Sequence, residues 1–374
     1  MRLPEIQRRR ARAVRVGSVI VGGGAPVSVQ SMTNTRTADA DATVTQVEAL
    51  AEAGADLVRV AVPARADTAA LAQIVKRSPV PIIADVHFHF DRAIEAIDAG
   101  VAKIRLNPGN IADRDQVRKV IAAAAAAGIP IRVGVNEGSV VERRAGARRA
   151  AELKRPLHEL MVEKLAEYLE VFDEQGFEDL VLSAKSHDAL TCVAACRELA
   201  RRWDYPLHLG VTHAGTAETG AIRSAAALGT LLSEGIGDTI RISYVGDPVQ
   251  EVRAGVELLA SLRLREREGI ELIACPTCGR MQMDLGPIVA QVRAELADVT
   301  APITVAVMGC VVNGPGEADS ADVAVCAGKD RAVLYRRGRK VRSIPADQIV
   351  SAVVGEVRKI AKELQRSARP QRLL

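Results

Sequence analysis

From residue 27 to about 263 the chain repeats one pattern: a short β-branched apolar run, a polar loop, then an Ala-rich or amphipathic stretch of helical length. The apolar runs are VSVQSM (27–32), LVRVAV (57–62), PIIADV (81–86), KIRLN (103–107), IRVGVN (131–136), LVLSAK (180–185), LHLGVT (207–212) and TIRISY (239–244). Segments such as TVTQVEALAEAGA and QVRKVIAAAAAAG lie between them, several ending in Gly as helix C-termini do. Strand–helix alternation predicts parallel strands. Eight such units fit a closed eight-stranded (β/α)8 barrel of the TIM type better than an open doubly wound sheet. The open sheet would carry a G-x-G-x-x-G turn after its first strand. Here VGGGAPV leads into no helix and is expected to be a hairpin turn before the first barrel strand.

After the charged linker SLRLREREG the pattern changes. A strand ending at Cys275, a helix near 286–296, the strand ITVAVMG, the pair DVAVCAG and RAVLYRRG, then KVRSIP and an amphipathic helix predict a small α+β domain. The expected division is a barrel over 1–263 and the α+β domain over 264–374.

Composition narrows the function classes. Hydrophobic residues make up 48% of the 374, enough for a large core, but aromatics only 2%, which argues against stacking platforms for single-stranded nucleic acid. A net charge of +4, from 50 basic and 46 acidic residues, is too balanced for a general nucleic-acid binder. The basic N-terminal run MRLPEIQRRRARAVRVG precedes no apolar stretch of signal length, and VIAAAAAAGIP and ITVAVMGCVV are too short to span a bilayer. A cytoplasmic protein without membrane or nucleic-acid partners is therefore expected. In a reducing compartment its six cysteines favour metal or catalytic roles over a disulfide framework.

Cys275 and Cys278 form C-x-x-C on a turn, and Cys310 follows in MGCVVNGPGEA. Such a set can hold one metal centre without backbone strain, whereas a redox disulfide would start a helix in a thioredoxin-like unit. A structural zinc needs a fourth soft ligand, and the C-terminal domain contains no His; Cys326 lies inside a strand, where a buried small side chain explains it. Three thiolates and a displaceable carboxylate, supplied by Glu317 behind the NGPG turn, describe an iron–sulfur cluster with one reactive iron. Zinc stays open as the alternative. Cys192 and Cys196, one helical turn apart on an Ala-rich helix, read as buried thiols.

Barrel chemistry sits at the C-terminal strand ends, and these ends are polar. They offer Asn34, Arg36, Arg59, Asp85, His87, Arg105, Asn107, Arg132, Asn136, Lys185, His187, Thr212, His213, Arg241 and Ser243. Any single Arg could be paired to a rim carboxylate, but several cations at one rim favour an anionic ligand, because guanidinium forks match phosphate oxygens. His208 is expected to be a satisfied core histidine.

The segments VQSMTNTRT, LVRVAVP, ADVHF, IRLNPGNI, IRVGVNEGS, SEGIGDTIRIS, ACPTCGR and GCVVNGPGEA resemble, in order and over nearly the whole chain, the bacterial 4-hydroxy-3-methylbut-2-enyl diphosphate synthase family. The resemblance implies a 4Fe–4S cluster on Cys275, Cys278 and Cys310 with Glu317 as fourth ligand. It implies 2-C-methyl-D-erythritol 2,4-cyclodiphosphate as substrate, opened and dehydrated with two electrons from flavodoxin or ferredoxin. Arg59, Arg105, Arg132 and Lys185 match the family's diphosphate-binding cations, and His87, Asn136 and Ser243 its polar rim. A head-to-tail homodimer is also implied, pairing the barrel of one subunit with the cluster domain of the other. One position departs. Where the family usually reads T-E-A-G, this chain reads GVTHAG, so His213 replaces the acid thought to contact the leaving hydroxyl. A histidinium can donate that proton but supplies no fixed negative charge, and Glu218 in HAGTAETG is the other residue in reach. The competing functions are a non-enzymatic electron carrier and a zinc-stabilised barrel lyase acting on another phosphate ligand.

Overall fold

The computed structural model describes residues 5–87, 89–106, 113–140, 154–276, 278–310 and 314–368, apart from the side chains at 139, 317, 318, 367 and 368. The chain divides into two compact units, Met1–Arg265 and Glu266–Leu374.

The first unit opens with a hairpin of β1 (Ala13–Val16) and β2 (Val19–Gly22). Eight strands follow: β3 (Ser28–Met32), β4 (Leu57–Ala61), β5 (Ile82–Val86), β6 (Lys103–Leu106), β7 (Ile131–Asn136), β8 (Leu180–Lys185), β9 (His208–Leu209) and β10 (Thr239–Ile240). They pair in parallel in the order β8-β7-β6-β5-β4-β3-β10-β9. The bridge Leu182–Leu207, with the Leu182 N–H donating to the Pro206 carbonyl at 2.9 Å, brings β9 back to β8. This is the (β/α)8 barrel that the alternating pattern predicts.

Helices α1 (Ala40–Glu52), α2 (Arg65–Arg77), α3 (Phe90–Asp98), α4 (Arg114–Ala127), α5 (Leu157–Glu174), α6 (Ala189–Arg202), α7 (Ala217–Ser233) and α8 (Pro248–Ser261) clothe it. Their buried positions recur at helical spacing, as in Val117, Val120, Ile121 and Ala124, and pack on outward strand residues such as Val58, Ile82, Ile104 and Ile131. Helix α4 ends on Gly128 in the left-handed conformation (φ 64°), as its terminal Gly predicts.

Two sequence expectations need correction. The hairpin exists, but it turns at Gly17 and Ser18; Gly22, which ends β2, and the two glycines after it carry the chain out at positive φ (81°, 61° and 82°). The last two barrel strands are two residues long rather than six, and beyond them side chains take up backbone groups. Ser243 Oγ donates to the Val211 carbonyl at 3.0 Å, and the Tyr244 N–H goes to Glu251 Oε1 at 2.9 Å.

The hairpin closes the N-terminal end of the barrel. Val14, Val16 and Val21 pack on Leu57, Ile83 and Val181, which sit at the beginnings of β4, β5 and β8. The basic N-terminal run is a strap: Arg8 Nη2 lies 2.8 Å from Asp238, and Arg9 donates to the carbonyls of Trp203 and Tyr205.

The second unit is a five-stranded sheet of β11 (Ile270–Ala274), β12 (Ile303–Met308), β13 (Val323–Ala327), β14 (Arg331–Arg336) and β15 (Arg339–Pro345), in that order. The first three strands run parallel and the last pairs antiparallel. Helices α9 (Leu285–Glu295) and α11 (Ile349–Ala368) cover one face through Val292, Val353, Val357 and Ile360. The short α10 (Gly314–Ala318) lies against β13. Among the described residues no helix is long and apolar enough to cross a membrane.

Candidate active site

Side chains alternate across a strand, and the register of each pair sets which face the interior. Leu57 and Ile83 point inward, so their register partners and every second residue do too. The inward face above the hairpin therefore carries Gln30, Met32, Arg59, Asp85, Lys103, Arg105, Arg132, Ser183, Lys185, His208 and Arg241. A barrel interior is ordinarily filled by Val, Ile and Leu. Here six cations, Arg59, Lys103, Arg105, Arg132, Lys185 and Arg241, meet two nearby carboxylates, Asp85 and Glu251.

Asp85 is the hub of the first side. Arg105 Nη1 lies 2.9 Å from its Oδ1 and 3.0 Å from His87 Nε2, and Arg59 Nε is 3.5 Å from its Oδ2. Burial by itself would raise the Asp85 carboxyl, yet Arg59 and then His87 and Arg105 hold it well below the usual carboxylate range. Arg59 also points Nη2 and Nε at the Met32 sulfur, at 3.0 and 3.2 Å, and Arg241 Nη1 approaches the same sulfur at 3.5 Å. A thioether is a weak acceptor. Two guanidiniums converge on this one weak acceptor.

On the other side, Lys185 Nζ lies 3.0 Å from His208 Nε2. Burial presses Arg132 far below its ordinary range, and the charges of Arg59 and Arg105 add to it. Burial likewise lowers Arg59, to about 9, against the pull of Asp85 and with the push of Arg241 and Arg105. A guanidinium keeps its proton in proteins, so these side chains stay charged despite their burial. Buried polar atoms normally find partners. Here Arg132 Nε and Nη1, Arg105 Nε, Arg241 Nε, Lys103 Nζ, His208 Nδ1 and both amide atoms of Gln30 have none.

Small residues make the room. A Cβ on Gly210 would fall 2.6 Å from Lys185 Nζ and 2.8 Å from the Arg241 carbonyl oxygen, and one on Gly134 would fall 2.3 Å from Ser183 Oγ.

The structure thus brings Arg59, His87, Arg105, Arg132 and Lys185 to one chamber. Asn136 pairs in register with Lys185, and Ser243 stands beyond β10. His213 is exposed after β9 in left-handed backbone (φ 53°), without a hydrogen bond to any described member of this set. Glu218 lies exposed in the first turn of α7. Asn107 lies outside the described residues. Glu137 joins two strand ends at the rim, accepting from Ser186 and lying 2.5 Å from His187 Nδ1. Lys103, Gln30 and His208 were not legible as site residues. Their only signal is alternation, since each falls on the inward phase of its strand where an apolar residue belongs. His208 is buried as expected but only half satisfied.

In the second unit, β11 and β12 are parallel neighbours, so Cys275 and Cys310 leave the sheet from the same end. The Cys275 N–H donates to the Val307 carbonyl at 3.1 Å, and the Gln282 N–H to Gly309 at 3.0 Å, which ties the C-x-x-C loop to the Cys310 turn. All three thiols are free. The backbone and side chain of Arg280 draw the exposed Cys278 thiol below its ordinary range, toward the thiolate that binds metals. Cys326 is buried in β13, and burial followed by the charge of Cys310 pushes its thiol up to about 11. This donor chemistry fits three thiolate ligands without Cys326. Among the described residues, no three His, Cys, Asp or Glu side chains form a closed metal site. The Glu317 side chain lies outside the described residues, though its backbone is in α10. Cys192 and Cys196 are buried on α6, both directed at the Ala184 carbonyl.

Residues 11–256 match the family described as the GcpE TIM-barrel domain, and residues 271–359 the GcpE protein C-terminal domain. A Geobacter sulfurreducens protein named 4-hydroxy-3-methylbut-2-en-1-yl diphosphate synthase (flavodoxin) is 48% identical over 354 residues, 95% of this chain and 99% of its own. A Salinispora tropica protein of the same name is 47% identical over 362 residues, 96% of this chain and 91% of its own.

Proposed function

The chain belongs to the GcpE family of 4-hydroxy-3-methylbut-2-en-1-yl diphosphate synthases, and from that premise we propose how its residues divide the work. It is an oxidoreductase of isoprenoid biosynthesis, in the methylerythritol phosphate pathway. It converts 2-C-methyl-D-erythritol 2,4-cyclodiphosphate to 4-hydroxy-3-methylbut-2-enyl diphosphate.

The observation that carries the assignment of residues is the excess of cations inside the barrel. Arg59, Arg105, Arg132 and Lys185 hold the cyclic diphosphate, with Arg241 as a further fork; Asp85 keeps Arg59 and Arg105 aimed. Bidentate guanidinium contacts orient the ring so that one ester oxygen faces the open mouth. His87, Asn136 and Ser243 complete the polar wall. To His213, exposed after β9, we assign the proton that lets the departing hydroxyl leave as water. Cys275, Cys278 and Cys310, with Glu317, would hold a 4Fe–4S cluster, which when bound supplies electrons and an iron with a displaceable ligand. The barrel unit is the diphosphate-binding domain and the sheet unit the cluster domain. Flavodoxin, which the relatives carry in their names, is the donor in this reading, with ferredoxin as the alternative, and the protein acts as a cytoplasmic homodimer.

Anaerobic turnover of the cyclic diphosphate with a chemical reductant tests this reading. Wild-type protein should form the linear diphosphate. Cys310→Ser should lose its iron while Cys326→Ser keeps it, and Arg132→Ala should keep iron but bind substrate about 10- to 100-fold more weakly. Full iron loading in Cys310→Ser, or no turnover by fully loaded wild-type protein, overturns it.

A further inference from the structure

The chamber holds more positive charge than the named ligands of the diphosphate require. Lys103 precedes Arg105 by two residues on β6 and lies on the same inward face, completely buried at the level of Ile83. Its Nζ has no hydrogen-bond partner. Arg132 from β7, Arg59 from β4 and His208 from β9 act on it directly, and Asp85, Arg105, Lys185 and Arg241, the last with Glu251 of α8, share the same barrel interior. Both carboxylates are engaged elsewhere: Asp85 by Arg59 and Arg105, and Glu251 by Arg241 at 3.5 Å and the Tyr244 N–H.

We propose that Lys103 is a charge-matching residue for the diphosphate: an uncharged amine at the floor of the empty barrel, it takes one proton from solvent when the anion settles among the arginines above it. The proposal rests on the diphosphate reading of the chamber. Six full charges facing two carboxylates in a water-excluded barrel repel one another, and the least compensated group gives way. Guanidiniums cannot release a proton, but amines do so readily. Burial is the first force acting on Lys103 and the charges of Arg132 and Arg59 come next; all three press its amine well below its ordinary range. Lys185 feels the same pressures but has His208 Nε2 as a partner, whereas Lys103 has none. An arriving diphosphate reverses the local field, and the charged amine becomes the favoured form. The need grows during the reaction, because opening the ring turns a bridging ester oxygen into an ionised one. A floor group that charges on demand spares the empty barrel a permanent sixth cation.

The test is calorimetry of the oxidised full-length protein with the cyclic diphosphate near pH 7.5, repeated in buffers of different ionisation heat. Wild-type protein should take up on the order of one proton per site, and its affinity should fall as pH rises, by up to about tenfold per pH unit. Lys103→Met, close to the same shape, should still bind but with little proton uptake and a flatter pH profile. It should also melt at or above the wild-type temperature without ligand, since it replaces an unpartnered buried amine by an apolar chain. Binding without proton uptake in the wild type overturns the proposal, as does unchanged uptake in Lys103→Met. A lower melting temperature in the variant overturns it too, because Lys103 would then be holding the empty barrel together. Failure of the cyclic diphosphate to bind wild-type protein at all would count against the substrate reading, and inorganic pyrophosphate would then probe Lys103 by the same proton count.

Discussion

A single hydrogen in place of a methyl lets two groups of the barrel interior close in on Gly210. Gly210 lies where Lys185 Nζ and the Arg241 carbonyl close in from two sides, and only the lysine tip can move away from an added Cβ. Gly210→Ala should therefore cost about 1–3 kcal/mol of stability. It should also weaken substrate binding about tenfold by displacing Lys185, with iron content unchanged; denaturant midpoints and calorimetry read the two effects. Unaltered affinity in the variant would show that Lys185 does not depend on this space. The sequence discloses the arginines because they break the apolar expectation for barrel strands at several ends at once. It does not disclose Lys103 or His208. A lone polar residue in an apolar strand reads as a satisfied core group, and only the folded barrel leaves Lys103 Nζ and His208 Nδ1 without partners among the described residues.

Among the elements, the N-terminal hairpin does the work of a plug. Val14, Val16 and Val21 fill the end of the barrel against Leu57, Ile83 and Val181, so the polar chamber opens at the other end. Val16→Ala should cost about 2 kcal/mol from lost burial and the cavity left behind. Its effect should appear as a lower melting temperature with substrate affinity nearly unchanged. A large loss of affinity would mean that the plug shapes the chamber as well as closing it. The strands β9 and β10 teach the complementary lesson. Periodicity gives each six residues, but the regular strands are two residues long, and beyond them Ser243 and Glu251 bond to backbone groups.

For the whole molecule, the proposed assembly is tested by mixing a cluster-dead chain (Cys310→Ser) with a chamber-dead chain (Lys185→Ala) under conditions where subunits exchange. If each working site takes its barrel and its cluster domain from different subunits, random exchange leaves about half the dimers mixed. Each mixed dimer then has one intact site, so activity returns to about a quarter of wild type. Silence after exchange has been demonstrated by mass spectrometry would eliminate the cross-subunit arrangement. The sequence by itself determined the barrel and the second domain, and it supplied the cysteine spacing on which the proposed cluster rests, because period, chain order and spacing are local properties of the chain. Tertiary structure alone decided that six basic side chains share one interior with two carboxylates, that a hairpin shuts one end, and that Lys103 stands there without a hydrogen-bond partner among the described residues. Those facts depend on which residues of distant strands meet in register. A one-dimensional pattern shows that a residue faces inward; what it faces is set only when the sheet closes.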